Sequence, residues 1–491
     1  MFRLPCFALA VLLTASLHAQ SAKPDLVLDG TVEGRQNNTH FEIPFAVPAN
    51  IHRISVDLSY TGKEQKTVLN LGVADPVRFR GNSGGNKSHF TISETDATPS
   101  YLPGEILPGT WKLLISVPNI RATETSKYHV EIRFNAPEEE HGFTLKPLAE
   151  GKRWYRGDLH MHTAHSDGSC LSQSGKSVPC PLFFTVQTAA NRGLDFIAIT
   201  EHNTDSHYND ERELQPYFDK LLLIPGREMT TFWGHFNMYG VTEFVDYRAE
   251  ANGGLDINGI LRDIRAKGGI ASINHADSPT GEICMGCGWD PPFNVDTSLL
   301  TGIEVINGGR IFLSSADFWD RQLAKGATLT AIGGSDNHNA PSEPGHPGAI
   351  GWPTTVVEAD NLSVPAILDG IRHGRVFIDL TASRDKAIDL TAHDNTTSQQ
   401  AIMGGSLNAG EGDTLAFTVH TSACPRAHIH FFLDGAESSA IPTLDTKIGD
   451  ETLSFQWKTD GHPHWLRAEV RDSNGSLMLV SNPIYIHSAA H

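Results

Sequence analysis

The chain has 491 residues, 39% of them hydrophobic and 19% charged, with a formal net charge of −19. That is an ordinary globular balance over enough length for two to four domains of roughly 100–200 residues each, and it excludes disorder and a coiled coil. So acidic a chain lacks the basic footprint of a protein that coats nucleic acid, although small local anion sites stay open.

Residues 1–20 have the pattern of an export signal. Arg3 gives a positive start, Cys6–Leu17 is apolar apart from Thr14 and Ser16, and Leu17-His18-Ala19 offers a small residue for cleavage before Gln20. Cys6 is badly placed for a lipoprotein cysteine. The run is too short for a spanning helix, and no later stretch reaches the ~20 apolar residues a span needs. The expectation is a secreted, periplasmic chain with no transmembrane segment after cleavage; an uncleaved anchor is the alternative.

Short alternating runs follow at Leu26–Leu28, Phe41–Phe45, Ile54–Leu58, Val68–Val73, Trp111–Val117 and Tyr128–Phe134, separated by Gly, Pro and Asn. They predict a β-sandwich over residues 21–136. The polar stretch Asn135–Gly142 predicts a linker, bounded at residues 137–150.

From Trp154 the texture changes. Strand-like runs at Phe196–Thr200, Leu221–Pro225, Phe236–Val241, Gly269–Asn274, Gly302–Ile306, Thr328–Gly333 and Thr354–Glu358 alternate with helix-like ones. The helical segments are Leu182–Arg192, Tyr208–Lys220, Ile257–Lys267, Ser315–Lys325 and Val364–His373. The alternation predicts an α/β barrel-like domain over residues 151–386, with chemistry at the C-terminal ends of its strands. Residues 387–491 return to short β runs, such as Thr414–Val419 and His428–Leu433, and predict a second, Ig-like sandwich. There, His428-Ile-His430 and His462-Pro-His464 could chelate a metal but are more simply surface histidines.

Cys170, Cys180, Cys284, Cys287 and Cys424 follow the signal. In an oxidising compartment the first four can form two disulfides, in any of three pairings. Cys284-x-x-Cys287 also has the spacing of half a zinc knuckle or of a redox motif.

The informative side chains sit where the predicted barrel strands end. Arg156-Gly-Asp-Leu-His-Met-His-Thr-Ala-His-Ser-Asp-Gly168 puts Asp158, His160 and His162 on one strand face, because side chains alternate, so the two imidazoles form a chelating pair. Asp158 could orient one of them. Asp167 follows in the turn. Thr200-Glu-His202 ends the next strand, Gly226-Arg-Glu228 the one after, and Gly234-His235 heads another. Asn274-His275 and Gly334-Ser-Asp-Asn-His338 complete the set, with Asp336 and His338 again two apart. Burying six histidines and three carboxylates together is costly unless cations neutralise them, so the joint pattern points to a multinuclear metal site.

These blocks, in this order, resemble the PHP (polymerase and histidinol phosphatase) superfamily, and most of all its secreted, CehA/McbA-like metallohydrolase branch. The resemblance covers roughly residues 154–380. It implies a distorted seven-stranded (β/α) barrel, flanked here by N-terminal and C-terminal all-β sandwiches. It implies two or three divalent ions. One would be held by His160, His162, Glu228 and Asp336, a second by Glu228, His235 and His275, and a third by Asp167, His202 and His338. Glu201 stands where the family commonly has Asp, which suggests a supporting position, and the Cys170–Cys180 insertion lengthens the loop after Asp167.

All nine ligands are N or O donors, which fits zinc, manganese or iron. The implied chemistry is hydrolysis by a metal-bridging hydroxide. Asp336, His275 and His338 are the candidate catalytic residues, and Asp336 would orient the hydroxide and accept its proton. Three dications outweigh Asp167, Glu228, Asp336 and a hydroxide, so a small anionic phosphate ester is the favoured substrate. With two ions the charge balances, and a carboxyl ester, carbamate or amide is the alternative. Candidate substrate contacts are His165, Asn203, Asn274 and Arg310, with His207, Asn237 and Asn337 behind them; Asn203, Asn274 and Asn337 neighbour ligands and are more simply hydrogen-bond partners of backbone or ligand, His165 is either a general acid or, more simply, exposed, and Arg310 could clamp a phosphate or be a surface-loop arginine. A nuclease would need a basic groove with interleaved aromatics, and none is visible. A binding protein with a residual barrel should have lost coordinating residues, yet all nine candidates are types that can coordinate. The sandwiches would brace the barrel or dock it on a surface or polymer.

Overall fold

The computed structural model describes residues 23–136, 143, 146–250, 254–309 and 313–489. The export segment, most of the linker and Arg310 therefore lie outside the described residues. The chain is multidomain and mostly β. Described residues up to Thr91, with Ile106–Ala136, form one compact unit; Ile92–Glu105 and the described residues beyond 136 form a second.

The first unit contains β1 (Leu26–Glu33), β2 (Thr39–Val47), β3 (Arg53–Tyr60), β4 (Val68–Ala74), β5 (Phe79–Asn82), the first three residues of β6 (His89–Ser93), β7 (Gly109–Asn119) and β8 (Thr125–Phe134). They form two four-stranded sheets, ordered β1-β8-β3-β6 and β2-β7-β4-β5. Period-two alternation drives this arrangement: on β7, Trp111, Leu113, Ile115 and Val117 are buried while Lys112 between them is exposed.

The second unit begins with β9 (Glu150–Asp158), β10 (Ser169–Leu171), β11 (Ser177–Pro179), β12 (Phe196–Ile199), β13 (Leu222–Thr231) and β14 (Gly234–Tyr239). It continues with β15 (Ile270–Ile273), β16 (Gly302–Asn307), β17 (Leu313–Ser314), β18 (Thr330–Gly334), β19 (Thr354–Asn361) and β20 (Val376–Asp379). Its helices are α1 (Leu182–Arg192), α2 (Tyr208–Leu214), α3 (Ile257–Ala266), α4 (Ala316–Ala324) and α5 (Val364–Arg372). These match the helical segments expected from the sequence, except that α2 stops at Leu214.

The strand pairing is mixed. β9–β12, β12–β13, β15–β16 and β16–β18 are parallel, whereas β13–β14, β14–β15, β9–β19 and β19–β20 are antiparallel. They belong to one closed sheet into which C-terminal strands also run. Strand–helix alternation is thus interrupted where β13 turns straight back into β14 through a two-residue link, Phe232-Trp233. The short central strands β12 and β15 are buried on both faces, as strands covered on both sides are. Helix α3 shows why the helices stay on the outside. Ile257, Ile260, Leu261 and Ile264 recur at helical spacing and are buried, and Asp256 caps the first turn by accepting from Gly259 N–H at 2.7 Å.

Beyond residue 386, Gln400–Ile402, Ala387–Asp394, Thr414–Ser422 and Glu451–Lys458 form a four-stranded sheet. His428–Leu433 and His464–Arg471 belong to the sheet that continues from β20 through Leu477–Ser481. Phe417, Ile429, Phe431, Leu466 and Val470 belong to the apolar core of this part. Among the described residues no helix is long and apolar enough to cross a membrane.

Candidate metal centre

Each candidate ligand is carried to one place by the end or middle of a strand. β9 stops at Asp158, and the following residues are stitched to a neighbouring strand end: Met161 bridges to Asn337, and His162 N–H donates to the Asn337 carbonyl at 2.8 Å. This seats His160 and His162 beside Asp336 and His338, which follow β18. Asp167 lies in the turn after His162, where Gly168 is obligatory, since a Cβ there would come within 2.5 Å of the His162 carbonyl oxygen. His202 follows β12 and bridges to Glu228 in β13. His235 is the second residue of β14, and His275 stands two residues beyond β15.

Glu228 is the hub. It is fully buried, and its Oε1 lies 3.2 Å from His235 Nδ1, 3.5 Å from His160 Nε2 and 3.5 Å from His275 Nε2. Its Oε2 lies 2.8 Å from His202 Nδ1 and 3.6 Å from His162 Nε2. Asp336 Oδ1 stands 3.4 Å from His160 Nε2 and 3.3 Å from His162 Nε2. Asp167 Oδ1 is 3.2 Å from His338 Nε2 and 3.6 Å from His202 Nε2. Three sets bring one ligand atom per residue within 4.8 Å of one another: His162, Asp167, His202 and His338; His160, Glu228 and His275; and His160, His162 and Asp336. His162 thus reaches the outer set as well as the inner one. His235 touches Glu228 but joins none of the three.

The rings are aimed. His160 Nδ1 donates to Glu304 Oε1 at 3.0 Å, His275 Nδ1 to the Cys287 carbonyl at 3.2 Å, and His338 Nδ1 to the Asp336 carbonyl at 2.9 Å. An acceptor at Nδ1 leaves Nε2 of the neutral ring as the lone-pair donor, turned towards the carboxylates. Asn274 Nδ2 in turn donates to Glu228 Oε1 at 2.8 Å.

The electrostatics suit cations. Burial pushes the Glu228 carboxyl up, but His202, His160 and His235 outweigh it and hold it well below the usual range. Asp336 behaves alike: burial opposes, and His160, His162 and His338 hold it well below. Burial, then the neighbouring His338 and His202, push His162 down to about 3, which leaves a neutral imidazole of the kind metals bind. The buried Nε2 atoms of His160, His162 and His235 have no hydrogen-bond partner. Buried polar atoms are normally satisfied, and three such orphans on these converging side chains fit divalent ions.

One expectation needs correction, that for Asp158, and the neighbouring candidates are held as follows. Asp158 does not orient an imidazole: it is fully buried, and its carboxylate accepts backbone N–H groups from His160 at 3.2 Å, Ser335 at 3.0 Å and Gly351 at 2.7 Å. His165 belongs to no metal set; Ser206 holds its Nδ1 at 2.8 Å and Asp210 its Nε2 at 3.0 Å. Asn203 is spent on the Thr230 backbone, accepting its N–H and donating to its carbonyl. Asn274 braces Glu228. His207 is buried with Nε2 on the Gly226 carbonyl at 2.9 Å, and burial pushes it down to about 3. Asn237 donates to the Leu159 carbonyl and Asn337 to those of Asn339 and Gly348. Glu201 accepts from Thr163 and Ser166 beneath the cluster.

One residue escaped the sequence reading altogether. Glu304, 2% exposed, lies in the apolar run of β16 and reaches both His160 and the His275 backbone. Its only signal is a carboxylate inside Gly302-Ile-Glu-Val-Ile306.

Cys170 pairs with Cys180 and Cys284 with Cys287, which selects one of the three pairings, and Cys424 is a buried free thiol. The C-terminal histidines pair with carboxylates: His428 with Asp445 at 2.6 Å, His430 with Glu437 at 2.7 Å, and His464 with Asp434 at 2.6 Å and Asp460 at 2.8 Å.

No family model matches the chain. Over 157 residues, 31% of this chain and 81% of the relative, it is 28% identical to the uncharacterized protein MJ1587 of Methanocaldococcus jannaschii. Among solved structures it is similar to a two-domain protein containing a predicted PHP-like metal-dependent phosphoesterase from Bacteroides vulgatus. That likeness has 18% identity and a TM-score of 0.39, and it covers 71% of this chain and all of the other. A structure of fibronectin(III)-like modules of Clostridium thermocellum CbhA is similar over 17% of this chain and 85% of its own, at 16% identity and a TM-score of 0.13.

Proposed function

We propose that this chain is a metal-dependent hydrolase of PHP type, acting on small phosphate esters at the mouth of a distorted seven-stranded barrel within residues 151–386. One observation carries the proposal. Orphaned, buried nitrogen atoms of His160, His162 and His235 belong to rings that crowd around Glu228 and Asp336. Leaving buried polar atoms unpaired costs roughly 1–3 kcal/mol each, so a site built this way without a cation would be a standing loss of stability.

His160, His162, Glu228 and Asp336 would hold one ion, Glu228 with His235 and His275 a second, and Asp167, His202 and His338 a third. Zinc, manganese or iron bound there supplies Lewis acidity, acidifying water and offsetting charge on the attacked group. The side chains supply the rest. Asp336 spans the buried and open halves: Oδ1 lies between His160 and His162 and stands 3.6 Å from His338 Nδ1, with the side chain 18% exposed. In this reading Asp336 would orient the attacking water and accept its proton. His275 and His338 flank it, each fixed by a backbone carbonyl at Nδ1.

Three dications outweigh Glu228, Asp336, Asp167 and the nearby Glu304, which favours an anionic ester. The proposal includes export through residues 1–20, a setting suited to the two disulfides, and support or docking through sandwiches at residues 21–136 and 387–491.

The test is metal analysis of the purified chain joined to a panel of phosphomonoester, phosphodiester and carboxyl-ester chromogenic substrates. Chelator-sensitive phosphate-ester hydrolysis is expected. Hydrolysis of carboxyl esters alone moves the assignment to the alternative class, and activity indifferent to chelator overturns it.

A further inference from the structure

Glu304 is the least expected side chain near the centre. It points out of a buried strand whose other side chains are apolar up to Asn307, and it is itself 2% exposed. A carboxylate in that position is costly unless each oxygen is satisfied. Both are. Oε1 accepts from His160 Nδ1 at 3.0 Å, and Oε2 accepts from the His275 backbone N–H at 3.1 Å and from Asn307 Nδ2 at 2.9 Å. Asn307 Nδ2 also lies 3.4 Å from Asp336 Oδ2. One carboxylate therefore reaches two candidate ligands carried by different strand ends, and through Asn307 a third, Asp336.

We infer that Glu304 is the positioning residue of the centre: it sets the ring of His160 and locks the backbone of His275, so that both present Nε2 to the metal. The inference rests on the metal-centre proposal above. Three features of the chain support it. His275 sits at φ +27°, a conformation disfavoured for a residue with a Cβ, and its N–H is held by Glu304. Gly334 leaves the necessary room, because a Cβ there would lie 2.1 Å from Glu304 Oε1 and 2.6 Å from His160 Cβ. The donor count also requires a carboxylate. Both oxygens must accept, and an amide can accept on one side only. Glutamine at position 304 with its oxygen towards His275 and Asn307 would aim its NH2 at His160 Nδ1. The ring would then carry its proton on Nε2, the atom needed for the metal.

The test compares wild type with Glu304→Gln as full chains. Zinc affinity is measured by chelator competition. In the zinc-loaded, 15N-histidine-labelled protein, the Nδ1 proton of His160 is sought by NMR. Wild type should show that proton, and the variant should lose it and bind zinc about 10–100-fold more weakly, the usual cost of removing a group that orients a ligand. The unfolding midpoint of the metal-free forms separates this effect from general damage. A variant with wild-type zinc affinity overturns the inference while leaving the metal centre intact. If the variant does not fold, the wild-type spectrum decides, because a zinc-loaded His160 without a proton on Nδ1 refutes the arrangement. A wild type that takes up no zinc removes the metal centre itself, and this inference with it.

Discussion

Glu228→Gln tests the electrostatic account of the site most sharply. In the metal-free protein, burial pushes the His202 imidazole down, but Glu228, then Asp167, raise it from 6.5 to about 9. Glu228 Oε2 lies 2.8 Å from His202 Nδ1, whereas Asp167 Oδ1 is 3.6 Å from Nε2 and belongs to a half-exposed side chain. Most of the rise therefore belongs to Glu228. A rise from 6.5 to about 9 corresponds to about 3 kcal/mol favouring the charged ring. Because the folded-state value is raised, that stabilisation is fully present below about pH 6.5 and is lost as pH rises through about 9. Glutamine keeps the shape and removes the charge. In chelator-treated protein, a histidine-ring NMR titration should find His202 near 9 in wild type and at or below about 6.5 in the variant. The pH-dependent loss of stability between those limits should shrink accordingly. A wild-type His202 that titrates near 6.5, or a variant value that stays near 9, would show that Glu228 does not govern this ring.

His162→Ala and Asp336→Ala should each lower kcat/KM for the chelator-sensitive hydrolysis at least about a hundredfold, since each removes a group that touches the proposed ions; unchanged rates in both would defeat the mechanism. Thiol titration of the denatured, non-reduced chain lacking residues 1–20 should find about one thiol, Cys424, and about five would dismiss both disulfides. In the folded protein that thiol should react slowly, because it is fully buried and burial pushes it up to about 11. Ile260→Ala, on the buried face of α3, should cost about 2–5 kcal/mol and lower the urea midpoint. A midpoint unchanged within error would mean that this face is not packed.

The contrast between Asp158 and Glu304 shows where sequence reasoning reached its limit. Alternation along β9 puts Asp158 on the face of His160, which suggests that it touches the ring. Instead the strand ends at Asp158, and its carboxylate takes N–H groups from residues 177 and 193 positions away. The ring is held by Glu304, 144 positions from His160. Neither partnership leaves a trace in local spacing. The metal sets show the same limit: His162 reaches the outer set because two strand ends bring His202 and His338 rings to within 4.3 Å of its own.

Periodicity and residue type were sufficient for the rest. The apolar spacing of α3, the alternation along β7, the unbroken apolar strand β12, and the His160–His162 and Asp336–His338 pairs are all local patterns. Backbone geometry repeats every two or 3.6 residues, so neighbours along the chain dictate them. Which carboxylate steadies which imidazole, and whether His165 or Asn203 faces the centre, are contacts between distant segments. They depend on how strand ends are brought together in space, and only the folded chain decides that.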